Sequence, residues 1–157
     1  MEIIGDFNTS VTKAISELCP DYEKLDGLII CGTHTPRDME EMIAKIKNAR
    51  ETGKPFLGIC FGHQLAAIEY ARNVLGIADA TSEEFGQGTY VVKKRPELKV
   101  GLHEGESWWS NYEVAIGWII PDNFISVPYH PEYQSSKEKP HPILIKFLNL
   151  CRKRQSV

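Results

Sequence analysis

No stretch of this chain reaches the run of about 18 apolar residues that crosses a bilayer, and its start, Met1-Glu2, lacks the basic residues of a signal peptide. No membrane partner is expected, and the compartment expected is the cytoplasm. Cysteine is sparse: Cys19, Cys31, Cys60 and Cys151 show no paired short spacing, which argues against a zinc knuckle or a disulfide framework and makes free thiols the default. Positive charge is also not in excess. With 18 Lys and Arg against 21 Asp and Glu, the net charge is −3, and no nucleic-acid partner is expected. The basic tail Arg152-Lys153-Arg154 is short and reads as the complement of a helix C-terminus. There is no Gly-x-x-x-x-Gly-Lys phosphate loop, no internal repeat, no linker and no low-complexity tract. What remains is a chain of 157 residues, 42% hydrophobic and 25% charged, which suits a single domain, 1–157, with one sizeable core.

Within that ordinary background one segment stands out. Pro55-Phe56-Leu57-Gly58-Ile59-Cys60-Phe61-Gly62-His63-Gln64 places a lone cysteine between two glycines where an apolar strand runs into a helix. On such an elbow the central residue occupies a tight, strained turn, and Gly58 and Gly62 leave room for close packing. The thiol is pushed outward to the N-terminus of a helix, where partial positive charge and free N–H groups favour the thiolate. A buried cysteine that merely fills core space is the commoner fate of this residue. A second segment tips the balance: Val127-Pro128-Tyr129-His130-Pro131-Glu132-Tyr133 ends another apolar run with a histidine and a carboxylate two apart. A thiol nucleophile needs a base, and the base needs a group that fixes its tautomer and stabilises its cation. His130 and Glu132 supply both, and Pro131 restrains the backbone between them. Cys60, His34, His63 and His130 could line one pocket as a metal set, but catalysis without metal is the favoured reading, and no cofactor is expected.

The pattern along the chain alternates strands with helices. Glu2–Gly5 reads as a strand; Val11, Ala14, Ile15 and Leu18 fall at helical spacing after candidate caps at Asn8 and Thr9. Leu28–Cys31 is a buried strand. Met39, Met42, Ile43 and Ile46 repeat the helical stripe, and Gly53-Lys54-Pro55 stops it. Leu144, Phe147, Leu148 and Cys151 mark a final amphipathic helix. Such alternation predicts an α/β fold, a three-layer flavodoxin-like sandwich whose mostly parallel central sheet carries active residues at the carboxyl ends of its strands. Tyr90-Val91-Val92, Lys99–Leu102 and Val114-Ala115-Ile116 predict a small antiparallel extension. Trp108 and Trp109 read as a core wedge rather than a partner surface.

Taken together these segments resemble the class I glutamine amidotransferases, and within them the glutaminase domain of CTP synthase and its short relatives. The resemblance rests on the Cys60 segment, on Ala71-Arg72-Asn73-Val74-Leu75-Gly76, on Ala80-Thr81-Ser82-Glu83-Glu84-Phe85, on Asn111-Tyr112-Glu113-Val114 and on the His130 region. It covers roughly residues 25–150 and is strongest across 39–85. It implies that Cys60 is the nucleophile, His130 the base and then the acid, and Glu132 the orienting carboxylate. It further implies an oxyanion hole made by the backbone N–H groups of Phe61 and Thr33, with Gly32, Gln64, Glu84 and Asn111 around the substrate. L-Glutamine or a related small amide is the implied ligand.

Three positions depart from the family. Gly32-Thr33-His34-Thr35 stands where CTP synthases carry Gly-Gly-Phe-Gly, so two of three glycines are gone and any residue there needing positive φ would be strained. Asn111 replaces the arginine that neutralises the substrate α-carboxylate, which predicts weaker or different substrate binding. His63 replaces a hydrophobic residue and would either contact substrate or cap a pocket wall. The resulting expectation is a glutamine amidohydrolase without its own synthetase domain, free-standing or partner-activated, whose ammonia passes to a separate synthetase subunit or is lost to solvent. Two alternatives stand beside it: a hydrolase of another γ-glutamyl or small amide, and a non-catalytic regulatory module that keeps the fold. A homo-oligomer is left open.

Overall fold

The computed structural model describes residues 1–95 and 112–156. In chain order these form β1 (Glu2–Ile4), α1 (Asn8–Leu18), β2 (Leu28–Ile30), α2 (Met39–Thr52), β3 (Phe56–Ile59), α3 (Phe61–Asn73), β4 (Ala80–Ser82), β5 (Thr89–Lys94), β6 (Tyr112–Val114), β7 (Phe124–Val127) and α4 (Pro142–Gln155), with short 3-10 helices at Tyr22–Lys24 and Pro131–Gln134. The main sheet has the order β1-β2-β3-β7, and every neighbouring pair in it is parallel. No helix among the described residues is long and apolar enough to cross a membrane.

Period-two alternation divides each central strand between two cores. Leu28, Ile30, Phe56 and Phe124 meet Met42, Ile43 and Ile46 of α2 and Leu65 and Ile68 of α3. Ile29, Leu57, Ile59, Ile125 and Val127 face the other way, onto Val11 and Ile15 of α1 and Leu144, Phe147, Leu148 and Cys151 of α4. Each such side chain taken fully out of water contributes about 1.5–3 kcal/mol, so the sheet is held from both faces. The helical stripes expected from spacing in α2 and α4 are buried here, apart from Met39, which is only partly covered.

Two local expectations change. The predicted caps Asn8 and Thr9 lie inside α1: Phe7 occupies the N-cap position without a side-chain cap, and Asn8 Nδ2 instead donates to the Gly5 carbonyl at 2.7 Å. The Phe7 N–H is drawn to the Gly32 carbonyl at 3.2 Å, so a tertiary contact sets where the helix begins. The small sheet, of order β4-β5-β6, is mixed rather than antiparallel, because β4 runs parallel to β5 and only β5 and β6 oppose each other. Parallel neighbours ordinarily need a crossover of a dozen residues. Here the short link after Ser82 passes through Gly86 at φ 145° and Gly88 at φ 155°, conformations closed to other residues. The predicted strand at Lys99–Leu102, together with Trp108, Trp109 and Asn111, lies outside the described residues.

Gly62 explains how the elbow packs. A Cβ there would stand 2.0 Å from the Ile30 carbonyl oxygen, and one on Gly58 would stand 2.9 Å from the Gly62 carbonyl, so α3 begins in direct backbone contact with β2 and β3. Gly62→Ala must push the helix off the sheet. The expected loss is about 3 kcal/mol, read as a lower urea midpoint at unchanged m-value. A midpoint within error of the parent would show that the helix is free to shift.

Candidate active site

All four strands of the main sheet deliver residues to one edge. β1 leads to Asp6 and Phe7, β2 to Gly32 and Thr33, β3 to Cys60, and β7 to His130. This is the carboxyl edge, where open parallel sheets gather their ligands.

Cys60 sits between β3 and α3 with φ 54° and ψ −98°, and besides Asp38 it is the only non-glycine at positive φ among the described residues. Such a conformation costs about 1–3 kcal/mol and persists only where the surroundings impose it. They do so from both sides. The Cys60 N–H donates to the Val127 carbonyl at 2.9 Å, and its own carbonyl accepts from the Gln64 N–H at 3.1 Å. The residue is half-buried and its thiol is free, as are the other three thiols. The first N–H groups of α3, starting at Phe61, have no intrahelical acceptor and face this turn.

His130 is buried, and its Nδ1 lies 2.7 Å from Glu132 Oε1. The Cys60 side chain also acts on the imidazole's titration, which places the thiol beside the ring. Burial pushes the imidazole pKa down, but the hydrogen bonds and negative charges of Cys60 and Glu132 outweigh it and raise the value to about 9. Glu132 is buried too, and its Oε2 has no hydrogen-bond partner among the described residues, so its charge is directed at the ring. Packing fixes the ring plane. Phe7 meets it edge-on at 5.5 Å and Tyr133 lies tilted at 5.7 Å. Gly32 closes the remaining side, since a Cβ there would be 2.7 Å from His130 Cε1 and 2.4 Å from Phe7 Cδ2.

Gln64 and Glu84 form one unit. Gln64 Nε2 donates to Glu84 Oε2 at 2.9 Å while its Oε1 accepts from Ser82 Oγ at 2.8 Å. Ser82 also accepts from the Glu84 N–H at 3.2 Å, so a fully buried serine aligns both side chains. His63 points elsewhere: its Nδ1 lies 2.6 Å from Ser126 Oγ and its ring meets Trp118 at 5.7 Å, which makes it part of a wall. Burial, aided by Arg95, lowers its pKa to about 4. Among the described residues no group of three or more His, Cys, Asp and Glu could hold a metal ion, and His34 packs against Phe7.

Sequence reading missed Asp6, Phe7, Ser82 and Ser126. The signal for Asp6 was present, since a carboxylate directly after a strand at a parallel sheet's carboxyl edge is a candidate by position alone. Ser82 and Ser126 carried no signal. Their roles depend on which partners the fold brings to them.

The two histidines should titrate at opposite ends of the ordinary range. Ring-proton NMR is expected to give one midpoint near 9 for His130 and one near 4 for His63. A depressed pKa contributes stability that is present above the unfolded value and lost as pH falls through the folded one. His63 should therefore make the protein less stable as pH drops from 6.5 to 4, and His63→Phe should flatten that slope. His130 has the opposite sign: its contribution is complete below 6.5 and lost as pH rises to about 9. Coincident midpoints near 6.5 would contradict both assignments.

Comparison with known proteins places the chain in one family. The profile of the family "Glutamine amidotransferase class-I" matches residues 6–116. A CTP synthase of Methanoregula boonei is 54% identical over 81% of this chain, and one of Methanoculleus marisnigri is 34% identical over 87% of it. These alignments take in 34% and 36% of the relatives, so the chain spans about a third of their length. The solved glutaminase domain of Trypanosoma brucei CTPS, with bound acivicin, superposes with a TM-score of 0.78 at 20% identity, covering 98% of this chain and 94% of that one. At that identity the likeness concerns the fold, which agrees with the parallel sheet and its flanking helices. The chain thus belongs to the class-I glutamine amidotransferase family and is similar to the glutaminase part of CTP synthases.

Proposed function

We propose that this chain hydrolyses the side-chain amide of glutamine through a covalent cysteine intermediate and releases ammonia for a separate synthetase subunit. The observation that carries the reading is the 2.7 Å bond from His130 to Glu132, made at the same sheet edge as the strained turn that presents the Cys60 thiol. His130 takes the thiol proton, and Glu132 stabilises the imidazolium that forms. The Cys60 sulfur attacks the amide carbon, an S–C bond forms, and the carbonyl electron pair moves onto oxygen. The tetrahedral species collapses as the C–N bond breaks and His130 gives its proton to the departing nitrogen, leaving ammonia and a glutamyl thioester. Water then adds to the thioester with its proton passing to His130, the S–C bond breaks, and glutamate leaves with the thiol restored.

In this reading the Phe61 and Thr33 N–H groups hold the developing oxyanion, and each such donor lowers the barrier by about 3–4 kcal/mol. Glu84 accepts from the substrate α-ammonium. Gln64, committed to Ser82 and Glu84, acts by orienting that carboxylate. Gly32 leaves room beside His130, and Asn111 replaces a charge on the α-carboxylate side. The test is incubation with glutamine and a readout of ammonia and glutamate, with and without a synthetase partner, together with labelling by a chloromethyl ketone analogue of glutamine. Absence of turnover and of Cys60 labelling would sink the reading. Asn111 supports a second substrate, an amide lacking the α-carboxylate, and a panel in which glutamine is cleaved far faster than such amides would remove it.

A further inference from the structure

The Gly-poor turn after β2 is organised by a side chain that the family comparison does not assign. Asp6, at the end of β1, is mostly buried, and its Oδ2 accepts from Thr33 Oγ1 at 2.5 Å and from the His34 N–H at 2.9 Å. Its Oδ1 is held by Arg37 from the same turn. The neighbouring Phe7 N–H takes the Gly32 carbonyl at 3.2 Å. The chain contains no cis peptide bond among the described residues, so the Thr33 N–H points opposite to that carbonyl, away from Phe7. Meanwhile the His34 N–H is committed to Asp6. The Thr33 N–H is thus oriented by two anchors from a single loop, and that loop also places Phe7 against the rings of His34 at 4.5 Å and His130 at 5.5 Å.

We propose that Asp6 is a positioning residue for catalysis: its carboxylate takes over the work of the missing glycines and holds the Gly32–Thr35 turn so that the Thr33 N–H meets the substrate oxygen. This rests on the reading that Cys60 attacks an amide carbonyl. The hydrogen bonds from Thr33 and His34, ahead of the charge of Arg37, keep the Asp6 carboxyl at about 2, so the anchor is an anion throughout the range of any assay. Glycine turns reach their conformation through backbone freedom; this turn reaches it through a charged clamp, which is stiffer and depends on one residue.

Asp6→Asn keeps the size of the side chain and removes the charge. With glutamine, kcat should fall about 10- to 100-fold while KM stays within about threefold, the split expected when an interaction made only in the transition state is lost. Two alkylating reagents give a second readout that needs no turnover. In both, the Cys60 sulfur displaces a halide and forms an S–C bond. The glutamine-like chloromethyl ketone has a carbonyl to be held in the oxyanion hole, whereas small, non-directional iodoacetamide does not depend on that site. The ketone reaction should slow about tenfold in Asp6→Asn, and the iodoacetamide reaction should stay within about twofold. Unchanged kcat, or equal slowing with both reagents, overturns the role of Asp6. Should the parent protein leave glutamine intact, the proposed function falls, and the ratio of the two alkylation rates still decides whether Asp6 orients the turn. Thr33→Val, which removes the hydroxyl and with it the bonds to Asp6 at 2.5 Å and to the Thr35 carbonyl at 3.1 Å, should shift the ratio in the same direction by a smaller factor. It replaces Asp6→Asn as the deciding variant if the latter does not fold, and an unchanged ratio there is equally fatal.

Discussion

Exchanging Cys60 for serine is expected to cut ammonia release from glutamine by about 10⁴- to 10⁶-fold, the range seen when the nucleophile of a cooperating triad is removed. The elbow itself should survive, because the strained conformation is imposed by backbone bonds to Val127 and Gln64 and not by the sulfur. What is lost is a nucleophile that yields its proton readily; a hydroxyl in the same place does so far less well. Two further results are expected. His130→Ala should be about as damaging as Cys60→Ser, and the double variant should be scarcely worse than either, since the groups act as a unit. The His130 titration should also move downward in Cys60→Ser, because one of the two groups that raise its pKa is gone. Ammonia assays and ring-proton NMR on the same samples check both. Residual activity above about a tenth of the parent would mean that the reaction does not pass through this sulfur.

The second large effect concerns stability. Glu69 of α3 is fully buried, and Arg50 of α2 grips it with Nε 3.0 Å from both carboxylate oxygens and Nη2 2.8 Å from Oε1. Asn73 adds a contact at 3.3 Å. Glu69→Ala leaves a largely buried guanidinium with only the long contact to exposed Glu51 at 3.9 Å, and such a loss costs about 3 kcal/mol. Urea unfolding should show it as a large fall in midpoint. Replacing both partners, Arg50→Met with Glu69→Leu, should recover most of that loss, because a well-packed apolar pair avoids the desolvation of either charge. A loss under about 1 kcal/mol for Glu69→Ala would show that Arg50 readily reaches water. The pair matters to function because α3 carries Cys60 at its start, and a displaced helix moves the elbow.

The fold was readable where pattern and burial coincide. The stripe Met42, Ile43, Ile46 and the run Leu28-Ile29-Ile30 announce a helix and a buried strand because a parallel sheet covered on both faces demands apolar residues at those periods. The strained turn at Cys60 and the contact of His130 with Glu132 were readable for a related reason: a tight turn flanked by small residues, and a histidine two positions from a carboxylate, leave marks a few residues apart. The start of α1 and the parallel pairing of β4 with β5 were not readable. In the first case a hydrogen bond from Phe7 to Gly32 overrides the local preference of Asn8 for a cap. In the second, glycines that ordinarily suggest a tight hairpin turn instead carry the chain through an unusual short crossover.

From the order of its residues alone, this protein declared an α/β architecture and the tight turn that holds one thiol, because periodicity and short-range motifs are local properties. The clamp of Asp6 on the turn after β2, the alignment of Gln64 with Glu84 by Ser82, and the withdrawal of His63 into a wall beside Ser126 were decided only in three dimensions. These bonds join residues 18 to 63 positions apart, and contacts over such separations exist only once the fold has brought distant strands and helices together.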